Sequence, residues 1–230
     1  MTEKGSIGTV ERMTPAQRVV HLVLMVAILM LVTSGLALAY HEQGWAHAII
    51  ALMGGLGGRN VVHKAGAILL VLVFIYHVVA TNVSANHQRN ALASVPTPSD
   101  LKAGWAAFVW RMTGKGEPPK YGHYTPMQKC QYWLIFLGCL LMGISGAVLW
   151  SPRVSLGIFP KSFYDIMLVV HSSEAQFAFI ILLVWHLWDV HVAGGNFPMN
   201  PAWLTGRMRE NLYKSQHLGE WESTRKGTRE

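Results

Sequence analysis

The chain has 230 residues, of which 51% are hydrophobic and 13% charged, with a formal charge of +7 and a mean hydropathy of +0.28. Soluble domains carry about 25% charged residues, so the composition excludes an ordinary soluble protein and points to lipid. Two cysteines, Cys130 and Cys139, form no C-x-x-C pair, which excludes a zinc ribbon, a cysteine-held iron–sulfur cluster and covalent c-type haem attachment.

A polar arm, residues 1–17, opens the chain. A hydrocarbon core of about 30 Å takes roughly 20 helical residues. Four apolar runs meet that length, at about 18–40, 61–81, 131–150 and 167–192. None alternates apolar and polar residues, so each is read as helix rather than strand. Ala37-Leu38-Ala39 resembles a signal-peptide cleavage site, but the apolar run before it is too long and carries His21, so the first helix is read as retained. Between the first two runs the spacing predicts an interfacial helix over Trp45–Met53, broken at Gly54-Gly55. Ser99 or Asp100 is expected to cap a surface helix over Leu101–Met112, followed by a Gly/Pro/Lys loop at 114–122. Ser151–Ser162 reads as a short turn, and residues 196–230 as a polar, partly helical tail that meets a partner. The expected architecture is an all-α integral membrane four-helix bundle, with a membrane domain over 18–195. No internal repeat is evident.

Fifteen of the nineteen Lys and Arg residues fall in the arm with Arg18 at its end, the segment at 82–129 and the tail. Only Arg59, Lys64, Arg153 and Lys161 fall on the opposite side. The positive-inside rule then places both termini in the cytoplasm. Four spans also make nucleic acid an unsuitable partner for this basic chain.

Histidine in a span is costly and usually functional. Five lie near span ends: His21, His63, His77, His171 and His186. Helix directions sort them into two layers. His63 and His171 lie near the outer face, and His186 lies near the inner face with His21 and His77. A low-spin haem b takes two axial ligands facing each other across a bundle, and neutral imidazole is the usual nitrogen donor. His171 and His186 stand 15 residues apart, about 22 Å along a helix and about 60° around it. His63 and His77 stand 14 apart, about 21 Å and about 40°. Two stacked haems b follow. Gly35, Gly66 and Gly146 lie on matching levels, where glycine lets a flat ligand approach the backbone. Arg18, one turn before His21, is a candidate partner for a haem propionate. Asp189, one turn beyond His186, is a candidate proton relay.

Several segments resemble the formate dehydrogenase gamma-subunit and nickel–iron hydrogenase-type dihaem cytochromes b. Arg18-Val19-Val20-His21 with Thr33-Ser34-Gly35 resembles their first helix. Val62-His63-Lys64-Ala65-Gly66 resembles their second-helix haem motif. Tyr124-Thr125-Pro126-Met127-Gln128-Lys129-Cys130-Gln131-Tyr132-Trp133 resembles the start of their third helix, and Gly146-Ala147-Val148-Leu149-Trp150 its end. The resemblance covers about residues 12–222. It implies that His63 and His171 hold the outer haem and His21 and His186 the inner one. It also implies a quinone site, for menaquinone or ubiquinone, at Tyr124, Thr125, Gln128 and His186. Three departures stand out. The fourth-helix spacing is 15 where the family usually has 14, which calls for a local bulge or a rotated ligand. Thr125 replaces the family's Asn. His77 is extra, and could replace His21 as ligand, or bond a propionate or the quinone.

The implied job is that of a membrane-anchor subunit in the cytoplasmic membrane of a bacterium or archaeon. Electrons would arrive at the outer face from an iron–sulfur subunit attached to a catalytic oxidoreductase subunit, cross two haems b and reach quinone near the cytoplasmic face. The alternatives are the cytochrome b anchor of a hydrogenase or of a thiosulfate or sulfur reductase, with electrons running from quinol to the partner, and a haem-free transporter with a histidine proton path.

Overall fold

The computed structural model describes residues 8–115, 120–192 and 195–227. The first seven residues of the arm, part of the loop expected at 114–122, residues 193–194 and the last three residues of the tail lie outside the described residues. In chain order, β1 (Thr9–Glu11) precedes α1 (Pro15–Ala39), α2 (Gly44–Leu52), α3 (Gly55–Val83), α4 (Ala85–Ala93), α5 (Pro98–Thr113), α6 (Pro126–Leu149), α7 (Pro152–Ile158) and α8 (Lys161–Ile180). Two π-helical stretches, Ile181–His186 and Trp188–Val192, continue α8. The tail holds α9 (Ala202–Thr205), β2 (Arg207–Arg209), α10 (Glu210–Gln216) and α11 (Leu218–Gly227).

Four helices are long and apolar enough to cross a membrane: α1, α3, α6 and α8 with its π extension. Each starts several residues earlier than its apolar run. At α1, Gln17 Oε1 accepts from the Thr14 amide and Thr14 Oγ1 from the Gln17 amide. Thr125 and Gln128 make the same reciprocal pair at α6. Both are capping boxes with proline at the first helical position, so the helices begin inside polar sequence. The surface helix α5 is likewise capped by Thr97, with Asp100 closing its box, rather than by Ser99 or Asp100. The turn expected after the third span contains α7, and α4 had no counterpart among the expected elements.

The chain divides into two compact units. One, residues 19–79 and 135–187, contains most of each long helix. Here α1 packs on α3, where a Cβ on Gly66 would stand 3.0 Å from the Met30 side chain and 3.2 Å from the Ala27 carbonyl. The α3–α6 contact stacks Phe74 on Phe136, with centroids 5.1 Å apart, and sets the Lys64 ammonium 4.9 Å from the Trp150 ring centre. Tyr40, just past α1, donates to Gln176 of α8 at 3.0 Å. Small residues Ala27, Ser34 and Ala37 line the inner side of α1, while Leu29, Leu72, Ile144 and Val184 are 55–63% exposed on outward faces. Small residues inside and large apolar ones outside make a helical bundle built for lipid.

The other unit, residues 1–18, 80–134 and 188–230, ties arm, connecting segment and tail together. β1 pairs antiparallel with β2, with Val10 opposite Met208. His217, 1% exposed, donates from Nδ1 to the Gly122 carbonyl at 3.0 Å, and His123 lies 2.7 Å from Glu220. Burial pushes the Glu220 carboxyl up, but hydrogen bonds from Tyr213 and His123 and the nearby Arg12 charge outweigh it and hold it below the usual range.

Candidate functional site

Serine in a helix interior turns its hydroxyl back onto the carbonyl four residues earlier. Ser34 of α1 does so onto Met30, and Ser145 of α6 onto Leu141 at 2.8 Å. Each hydroxyl has one proton, now engaged, so each oxygen faces its other neighbour as an acceptor. Those neighbours are His63 Nδ1 at 2.8 Å and His171 Nδ1 at 2.9 Å. Nδ1 of each ring therefore carries the hydrogen, and each Nε2 keeps a bare lone pair. The two rings face each other with centroids 6.4 Å apart.

The second layer pairs His21 of α1 with His186, centroids 6.5 Å apart. The bulge anticipated from the long spacing is the π turn Ile181–His186. A π turn inserts one residue into the helix. The 15 residues from His171 to His186 thus turn as 14 would, about 40° rather than 60°. His77 packs edge-on against Phe136 of α6, centroids 6.2 Å apart.

Gly35 and Gly146 follow the two serines and give room to the same rings. A Cβ on Gly35 would stand 3.6 Å from His63 Cε1, and one on Gly146 3.2 Å from His171 Cε1. Gly66 lies against α1, as described above. Arg18 donates from Nη1 to the Leu204 carbonyl at 2.8 Å, which fastens it to the tail. Sequence reasoning passed over Arg59. It is 7% exposed and donates from Nε to the Ser34 carbonyl at 2.7 Å and from Nη1 to Asn60 at 2.9 Å. Among the described residues, no carboxylate forms an ion pair with it. Its position four residues before His63, just ahead of the second apolar run, was the available signal.

Tyr124, Thr125 and Gln128 lie in the unit of the arm and tail, and His186 in the other. Thr125 and Gln128 are engaged with each other in the α6 capping box. Tyr124 lines a cavity of about 320 Å³ together with Asp100, Tyr121, His123 and Lys129. Burial pushes its hydroxyl up despite the nearby Arg12 charge, so it remains a neutral donor. Asp189 sits in the second π stretch, half-buried, and its carbonyl accepts from Asn196 at 3.3 Å.

Among the described residues, no three His, Cys, Asp or Glu side chains converge as a metal cluster. Two opposed imidazoles instead suit an ion whose other four donors come from a porphyrin. Each axial nitrogen lies about 2 Å from such a metal and the ring centre about 1 Å further, which puts paired centroids about 6 Å apart. Both pairs fit that spacing.

A membrane bundle carrying opposed histidine pairs of this kind has the framework of a membrane cytochrome b. The chain matches the family of prokaryotic cytochrome b561 over residues 12–192, and it belongs to that family. Haem b is accordingly its cofactor. It is similar to the formate dehydrogenase cytochrome b556(fdo) subunit of Escherichia coli strain K12, at 21% identity over 213 residues that cover 93% of this chain and 92% of the relative. The subunits of that name from E. coli O6:H1 and O157:H7 match to the same extent.

Proposed function

We propose that this chain is the membrane-anchor cytochrome b of a formate dehydrogenase-like respiratory complex in a bacterial or archaeal cytoplasmic membrane. The observation that carries the reading is the pair of imidazole couples, at 6.4 and 6.5 Å, on three of the four spans. His63 and His171 would hold one haem b near the outer face, and His21 and His186 a second near the cytoplasmic face. The two haems supply one-electron carriers in series between an iron–sulfur partner subunit outside and quinone inside. Arg59, a buried cation beside His63, is placed to balance a propionate carboxylate of that haem, and Arg18, one turn before His21, a propionate of the other. Both termini are assigned to the cytoplasm by the charge asymmetry. Tyr124 donates a hydrogen bond to the quinone at the start of α6, and Asp189 passes protons towards it.

The test is anaerobic reduction of the purified protein followed by addition of a ubiquinone or menaquinone analogue. Haem b should reoxidise rapidly, and Tyr124→Phe should slow the reaction about fivefold, the worth of one hydrogen bond of about 1 kcal/mol. Haem that stays reduced with either quinone would contradict the proposal.

A further inference from the structure

The two serines that face His63 and His171 occupy matching places in the chain. Against the expectation of no internal repeat, Thr14-Pro15, Gln17 and Ser34-Gly35 recur as Thr125-Pro126, Gln128 and Ser145-Gly146, each member 111 positions after its counterpart. The structure matches too. Each threonine and glutamine form the capping box of a span, and each Ser-Gly pair meets a histidine of the next span. Both serines are 0% exposed. Two capped helices thus bring the same device to the two rings of one couple from opposite sides. On each side the serine oxygen accepts Nδ1–H and the adjacent glycine clears Cε1.

We propose that Ser34 and Ser145 are positioning residues that set the electronic state of the His63–His171 couple, a role that rests on the haem-ligation reading above. Accepting a hydrogen bond from Nδ1–H fixes the tautomer and the ring plane, and makes Nε2 a stronger donor. A stronger donor favours the oxidised iron. The serines therefore hold the potential of this haem lower than unassisted imidazoles would. Arg59 ties its Nε to the Ser34 carbonyl and braces one of the two seats.

The experiment is a redox titration of the purified holoprotein followed by electron paramagnetic resonance, in wild type, Ser34→Ala, Ser145→Ala and the double variant. His63→Ala identifies which low-spin signal belongs to the couple. The expected result is an upward shift of that haem's midpoint potential in each alanine variant, larger in the double variant, with the other haem unmoved. Ser34→Thr and Ser145→Thr keep the hydroxyl and should return the potential towards wild type. If alanine removes that haem alone and threonine restores it, the positioning role also stands. Two haems with neither potential nor signal altered by alanine would overturn the role while leaving the cytochrome reading intact. Loss of both haems in alanine and threonine variants alike would also overturn it. A wild-type protein without haem would instead sink the ligation reading itself.

Discussion

A methyl group on Gly146 would stand 3.2 Å from Cε1 of His171, whereas one on Gly35 would stand 3.6 Å from Cε1 of His63. The second distance is ordinary contact. The first requires the ring to give way, and Ser145 holds that ring by Nδ1. Displacing a side chain from its rotamer costs about 1 kcal/mol, several-fold in affinity. Gly146→Ala should therefore lose part of its first-layer haem, while Gly35→Ala retains it. Haem content per chain checks this, and the reverse order would contradict the arrangement. The histidines themselves were legible because intramembrane imidazole is rare and its spacing along a helix is local information. Ser34 and Ser145 were not, since a helical serine usually just bonds its own backbone. Only the facing ring, 29 residues away for Ser34 and 26 for Ser145, reveals a second task.

The fourth span shows how an element reconciles an awkward spacing. Fifteen residues between ligands would leave a straight helix about 60° out of phase, and the π turn at Ile181–His186 absorbs the extra residue. Deleting Leu183, which is 51% exposed and faces outward, should convert the turn to plain α-helix. Both histidines would then keep their phase, and the variant should retain both haems by pyridine-haem assay. Loss of the His21–His186 haem in this variant would show that the π turn does not set the phase. The helix starts were readable in principle, because Thr14–Gln17 and Thr125–Gln128 fit the capping-box pattern. Hydropathy alone misses them, since the first turns of α1 and α6 are polar. Gly66 illustrates the opposite case. At the level of sequence, a glycine making room for a cofactor and one making room for a neighbouring helix are the same residue, and here the neighbour is Met30.

For the whole molecule, four spans and two histidine layers followed from length, hydropathy and helical spacing. The unit joining arm and tail did not. Its contacts, such as β1 with β2 and His217 with Gly122, connect segments far apart in sequence and too short or polar to carry a periodic signal. Family membership removes the haem-free transporter from contention and leaves the number and ligation of the haems as the central claim. The most direct measurement is a dithionite-reduced minus oxidised spectrum with pyridine-haem quantification on wild type, His21→Ala and His77→Ala. The account predicts two haems b per chain in wild type and in His77→Ala, and one in His21→Ala. Loss of a haem in His77→Ala with both kept in His21→Ala would contradict it, because His186 would then be paired with His77 across the bundle.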